Sequence, residues 1–180
     1  GASGLGIRST TREIPQPCVA GLRELARSHR LTLNTLIQGA VAILMSRHGG
    51  KRSVMFGEVV SGRPADLPDS HAIVGLFVNT LPARIEVDEE APLVEWLEAV
   101  QRQRVEMREF SWCSLIEVQG WSEVPRGRPL FELLYVFENT YYEASAADAG
   151  IGTDLRVGNF SFRKSSDQPL TIDVFSGNEA

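Results

Sequence analysis

Histidine and cysteine are both scarce in this chain of 180 residues, with three of the first and two of the second. Cys18 and Cys113 stand far apart with no second thiol at ligand spacing, which excludes a disulfide framework and a cysteine-based zinc site. Incidental or buried free thiols are expected instead. His29, His48 and His71 have neither another histidine nor a spaced carboxylate close in sequence, so no general base of the ordinary kind is evident. His29 and His48 are expected at helix ends, where an imidazolium suits the helix dipole. Positive charge is also short: 18 Lys and Arg against 23 Asp and Glu leave a formal net charge of −5. That balance cannot neutralise a run of phosphates, and it excludes nucleic acid and acidic lipid as main partners. No apolar run reaches the ~18 residues that a membrane span needs. The opening GASGLGIRSTTREIPQP lacks the basic and apolar regions of a secretory signal, so a cytoplasmic location is expected. G-x-S-x-G, a Walker loop, a strand-linked G-x-G-x-x-G, H-E-x-x-H and C-x-x-C are all missing.

What is present fits one folded unit. A hydrophobic content of 43% with 23% charged residues supports a domain with a substantial core. Residues 1–13 read as a leading linker or expression remnant. A helix is expected from about Pro17 to His29, with Val19, Leu22, Leu25 and Ala26 on one face. Thr32 is placed to cap a second helix, whose buried stripe of Leu33, Leu36, Ile37, Ala40, Val41 and Leu44 stops at Gly49-Gly50. Ser53 to Val60, SVMFGEVV, is apolar on both alternating faces except at Glu58 and reads as an interior strand covered on both sides. SGRPADLPDSHA is a loop by composition.

VGLFVNTLPARI, Val74 to Ile85, then forms a short strand or strand pair. Pro92 opens a helix with Leu93, Trp96, Leu97, Val100 and Met107 on one face and Arg102, Arg104 and Glu106 directed elsewhere. A short helix around Ser114 to Trp121 and a buried strand from Phe131 to Phe137 follow. Tyr142 to Gly152 reads as a loop. Strands near Leu155 to Phe162 and Leu170 to Phe175 alternate as an antiparallel pair would. There is no internal repeat, and the order predicts mixed α/β or α+β layering.

Polar residues collect at the ends of these buried strands. Ser61-Gly62-Arg63 ends the first, Asn79-Thr80 interrupts the second and Glu138-Asn139 ends the third, while His71 lies in the intervening loop. Strand ends are where a sheet presents groups to a cleft. A purely structural reading stands beside this: Arg63 paired with Glu58 or Asp66, Asn79 satisfying nearby backbone, and Glu138 solvated.

The runs TLNTLIQGAVAILMSRHGG, VMFGEVVSGRPADLP, IVGLFVNTLPARI and VQGWSEVPRGRPLFELLYVFENTY resemble, in that order and at those spacings, the C-terminal half of the condensation domain of non-ribosomal peptide synthetases. The resemblance covers about Ile14 to the end. It implies a chloramphenicol-acetyltransferase-like fold, an α+β sandwich with a mixed sheet covered by helices, in which two lobes enclose a tunnel. The implied activity is amide formation between thioesters carried on the phosphopantetheine arms of donor and acceptor peptidyl carrier proteins. No cofactor bound to the chain itself and no metal is implied.

The family's H-H-x-x-x-D-G signature belongs to the N-terminal lobe and is absent here, so no catalytic residue is expected in this chain. Residues 14–180 are then expected to be one lobe, ending before the family's last strand and helices. Gly75 to Thr80 matches amide-forming members rather than epimerisation domains, which tend to carry G-W-F-T. Ser114 stands where relatives usually have proline. By resemblance Ser61, Arg63, Asn79 and Thr80 face the tunnel, with His71, Glu138 and Asn139 as further candidates. Asn79 would hydrogen-bond a thioester or amide and stabilise the tetrahedral intermediate, while Ser61 and Arg63 shape the tunnel and tie the lobes.

An alternative on the same fold is a docking module for carrier proteins or tailoring enzymes that does no chemistry. A free acyltransferase using coenzyme A thioesters is disfavoured, since it needs the same missing histidines. An isolated lobe would expose an apolar interface and self-associate.

Overall fold

The computed structural model describes residues 7–62, 69, 72–125, 127–138 and 167–176. Helix α1 spans Gln16–Ser28 and α2 spans Leu33–Gly49. The Thr32 hydroxyl accepts the Thr35 N–H at the start of α2, and Gly50 ends that helix in the left-handed region at φ 62°. Both features are what the sequence predicts, because a hydroxyl satisfies an orphan helix N–H and glycine has no Cβ to clash at positive φ. Strand β1 (Ser53–Ser61) and β2 (Val78–Glu86) precede α3 (Leu93–Arg108) and α4 (Leu115–Trp121), and β3 (Leu133–Glu138) and β4 (Leu170–Phe175) follow.

The strands form one sheet in the order β2-β1-β3-β4. β1 runs antiparallel to β2 and parallel to β3, and β3 runs parallel to β4. The C-terminal ends of β1, β3 and β4 therefore lie together, beside the start of β2. Strand alternation sorts the side chains. Val54, Phe56, Glu58 and Val60 of β1, Leu81, Ala83 and Ile85 of β2, and Leu133 and Tyr135 of β3 are buried. Of these, Val54, Phe56, Ala83, Ile85, Leu133 and Tyr135 share one core with Val41 of α2 and Trp96, Leu97 and Val100 of α3. A Cβ on Gly39 would come within 2.5 Å of the Leu97 side chain, so α2 and α3 approach closely at that residue. Gln101 ties the same two helices: its side-chain oxygen accepts from the Thr32 N–H and the Thr35 hydroxyl, each at 2.9 Å.

Several expectations are corrected. β1 is interior but covered on one face only along its first half, where Met55 is exposed between buried Val54 and Phe56. Leu44 and Leu93, placed on apolar stripes by periodicity, are exposed. Arg104 turns inward rather than to solvent. Phe131 precedes β3 instead of starting it, and its ring lies across Gly57. β4 also pairs with β3, in parallel; this leaves the expected antiparallel pairing of 170–175 with 155–162 untested, since 155–162 and the loop 142–152 lie outside the described residues. Among those residues no helix is long and apolar enough to cross a membrane.

Candidate functional site

Three segments converge where β1 ends and β2 begins. The Gly62 N–H donates to the Phe77 carbonyl at 2.7 Å. A Cβ at Gly62 would stand 2.7 Å from that carbonyl oxygen and 3.4 Å from the carbonyl of Ser111, so only glycine lets the end of β1 come this close to both. The third segment is the link between α3 and α4, and Asn79 holds it. Its Nδ2 donates to the Ser111 carbonyl at 2.8 Å and the Cys113 carbonyl at 2.7 Å, while its Oδ1 accepts the Thr80 N–H at 2.8 Å. Both amide hydrogens are thus committed to the backbone.

Register separates the candidate residues. Asn79 pairs with Val60, whose side chain is buried on the helix-covered face. Ser61 pairs with Val78, and Thr80 with Val59. By alternation Ser61 and Thr80 belong to the opposite face, together with Glu138, since Tyr135 is in register with Glu58. Ser61 and Val78 are exposed, and Thr80 and Glu138 are half-buried. Arg63, His71 and Asn139 lie outside the described residues.

Ser114 caps α4. Its hydroxyl accepts the Glu117 N–H, and the Glu117 carboxylate accepts from the Ser114 hydroxyl at 2.7 Å and the Ser114 N–H at 3.1 Å. This reciprocal capping box supplies a helix start without proline. Those bonds, the hydroxyl's first, hold the Glu117 carboxyl below its ordinary value. α4 buries none of its residues, and the surface around it carries exposed Trp112, Ile116 and Trp121.

Behind the strand ends lies a polar network. Glu58 accepts from Arg104 Nε at 2.5 Å and from Gln38 Nε2 at 2.8 Å. The Tyr135 hydroxyl donates to Asn34 Oδ1 at 2.8 Å. Burial, reinforced by the negative charge of Glu58, pushes the Tyr135 phenol well above its ordinary value. The sequence marked Glu58 as the exception in an apolar strand and offered Glu58 or Asp66 as a partner for Arg63, which with Asp66 lies outside the described residues; the described cation at Glu58 is Arg104. The signal for Arg104 was its place four residues after buried Val100, on the same helix face.

A family model for the condensation domain matches residues 8–179. The chain belongs to the condensation-domain family. It is 41% identical over 166 residues to one of the linear gramicidin synthase proteins of Brevibacillus parabrevis, covering 92% of this chain and 3% of that protein. It is 40% identical over 156 residues to chondramide synthase cmdD of Chondromyces crocatus, covering 87% of this chain and 4% of that protein. The first condensation domain of the CDA synthetase matches with a TM-score of 0.60 at 17% identity, over 70% of this chain and 28% of that one. The condensation domain of the Monacolin K polyketide synthase MokA gives 0.58 at 22% identity, over 71% and 30%. The condensation-domain fold, chloramphenicol-acetyltransferase-like, is therefore that of this chain as well, and the chain spans only a small part of each relative's length.

Proposed function

We propose that this chain is the C-terminal lobe of a condensation domain and forms one wall of its substrate tunnel. In that tunnel the amine of an aminoacyl thioester on an acceptor carrier protein attacks the carbonyl of an acyl thioester on a donor carrier protein. The new C–N bond forms, the C–S bond breaks, the amine gives up a proton and the donor phosphopantetheine thiol is released. The carrying observation is the family match over residues 8–179 in a sequence with no H-H-x-x-x-D-G. Proton handling is assigned to the N-terminal lobe, and this chain contributes shape and hydrogen-bonding groups.

The candidates take distinct roles in this reading. Ser61 and Thr80 supply hydroxyls on the face opposite the helices, with Glu138 further along the sheet. Asn79, both of whose N–H groups already serve carbonyls, is assigned to holding the wall rather than to direct contact with the thioester. Arg63 is assigned to the lobe contact.

The test is a condensation assay with loaded donor and acceptor carrier proteins, run with this chain alone and with a separately produced N-terminal lobe. Amide product only in the mixture is the expected result. No product from two lobes shown to be folded and associated would favour the docking module instead, a reading supported by exposed Ile116 and Trp121 along α4.

A further inference from the structure

Phe131 is buried, 6% exposed, yet it stands apart from the core that the strands share with α2 and α3. Its ring lies on the other face of the sheet: a Cβ on Gly57 would come within 2.4 Å of Phe131 Cε2 and 2.5 Å of Cζ. The same Cβ would stand 2.9 Å from the Thr80 methyl, so the ring and Thr80 meet over the one residue of β1 that has no side chain. That face closes in steps from the mouth of the sheet. Ser61 and Val78 are exposed, the next pair, Val59 and Thr80, is half-buried, and Gly57 is buried beneath the ring. The row offers an apolar chain four residues of strand, about 13 Å, before an aromatic stop. Beyond the ring, away from the mouth, lies a groove of about 460 Å³ lined by Phe131 itself with Met45, Met55, Leu133 and Leu170, a volume in the range that holds a small ligand. Phe131 thus divides the mouth from the groove.

We propose that Phe131 sets the length of the substrate side chain that the domain accepts, its ring ending the row that begins at Ser61 and Val78. The inference rests on the tunnel-wall reading above, which gives this face to the thioester. Removing the ring joins the row to the groove and admits a longer aliphatic chain. The competing role is packing alone, in which Phe131 only anchors the segment that enters β3.

The experiment uses the complete two-lobe domain with F131A and F131L, and a thermal melt of each variant. The substrates are aminoacyl thioesters whose straight side chains lengthen from alanyl through norleucyl to aminodecanoyl, loaded on the donor and then on the acceptor carrier protein. In one of the two positions F131A is expected to raise the kcat/KM ratio of aminodecanoyl to alanyl by about tenfold or more, with alanyl close to its wild-type value and a smaller rise for F131L. Phe131 lies outside the helix-side core, so both variants are expected to fold; F131L, which keeps a branched apolar side chain, decides the matter if F131A does not. A ratio unchanged in both positions overturns the proposal whatever the Tm, and leaves Phe131 a packing residue. An equal loss for every substrate overturns it too. A wild-type domain that forms no amide from any of the thioesters overturns the functional reading and this inference together.

Discussion

Glu58 on β1 and Arg104 on α3 form an ion pair across the helix–sheet interface, their side chains only 2% and 13% exposed. Gln38 of α2 supplies the other carboxylate oxygen with a donor, so one buried charge joins three elements. A buried carboxylate is tolerated because both oxygens are paired.

Removing the cation alone should be severe. R104M leaves Glu58 buried without its cation, and a loss of about 3–5 kcal/mol is expected from urea unfolding. The double variant E58M/R104M should recover most of that loss, because two packed methionines need no counter-charge. A single variant as stable as the double one would show that the pair is not coupled.

Asn79 should behave as a structural clamp. N79A orphans two carbonyls and the Thr80 N–H, and a loss of roughly 1–3 kcal/mol is expected. N79D should do at least as badly, because it sets carboxylate oxygens against the Ser111 and Cys113 carbonyls. Amide hydrogen exchange around residues 111–114 should accelerate in both variants, and unchanged protection there would refute the clamp.

Tyr135 predicts an alkaline loss of stability. Its folded-state pKa lies above the ordinary 10.0 through burial and then through the charge of Glu58. The unfolded chain therefore ionises first. The contribution is full below about pH 10 and falls by about 1.4 kcal/mol per pH unit above it, until the folded value is reached. Y135F should lose about 1 kcal/mol at neutral pH by leaving Asn34 Oδ1 unpaired, and this component of the alkaline slope should vanish. Denaturant midpoints from pH 8 to 11 would read both effects.

The α4 capping box predicts an acid-side effect of opposite sign. Glu117 has its carboxyl held below the ordinary 4.5, so its support for the helix start is present above that value and is lost as pH falls through the lowered one. S114A removes the hydroxyl bond and should return the Glu117 titration toward 4.5, as followed by side-chain carboxyl NMR. An unmoved titration would show that the backbone N–H alone accounts for the shift.

Local patterns were legible in the sequence alone. Thr32, Gly50 and the helical spacing between them set the bounds of α2 through capping and periodicity, both of which act within a few residues. β1 and β3 appeared as short apolar runs for the same reason, and the four motifs in register pointed to the condensation-domain family. The tertiary structure decided what depends on distant partners. Arg104 occupied a position on the buried helix face, but its charge argued for solvent until Glu58, 46 residues away, supplied a counter-ion. Asn79 and Thr80 looked like one polar pair; alternation put them on opposite faces, and only packing revealed that the Asn79 amide serves carbonyls 32 and 34 residues further on. Capping and periodicity are short-range and written in neighbouring residues, whereas pairing across a fold depends on which surfaces meet.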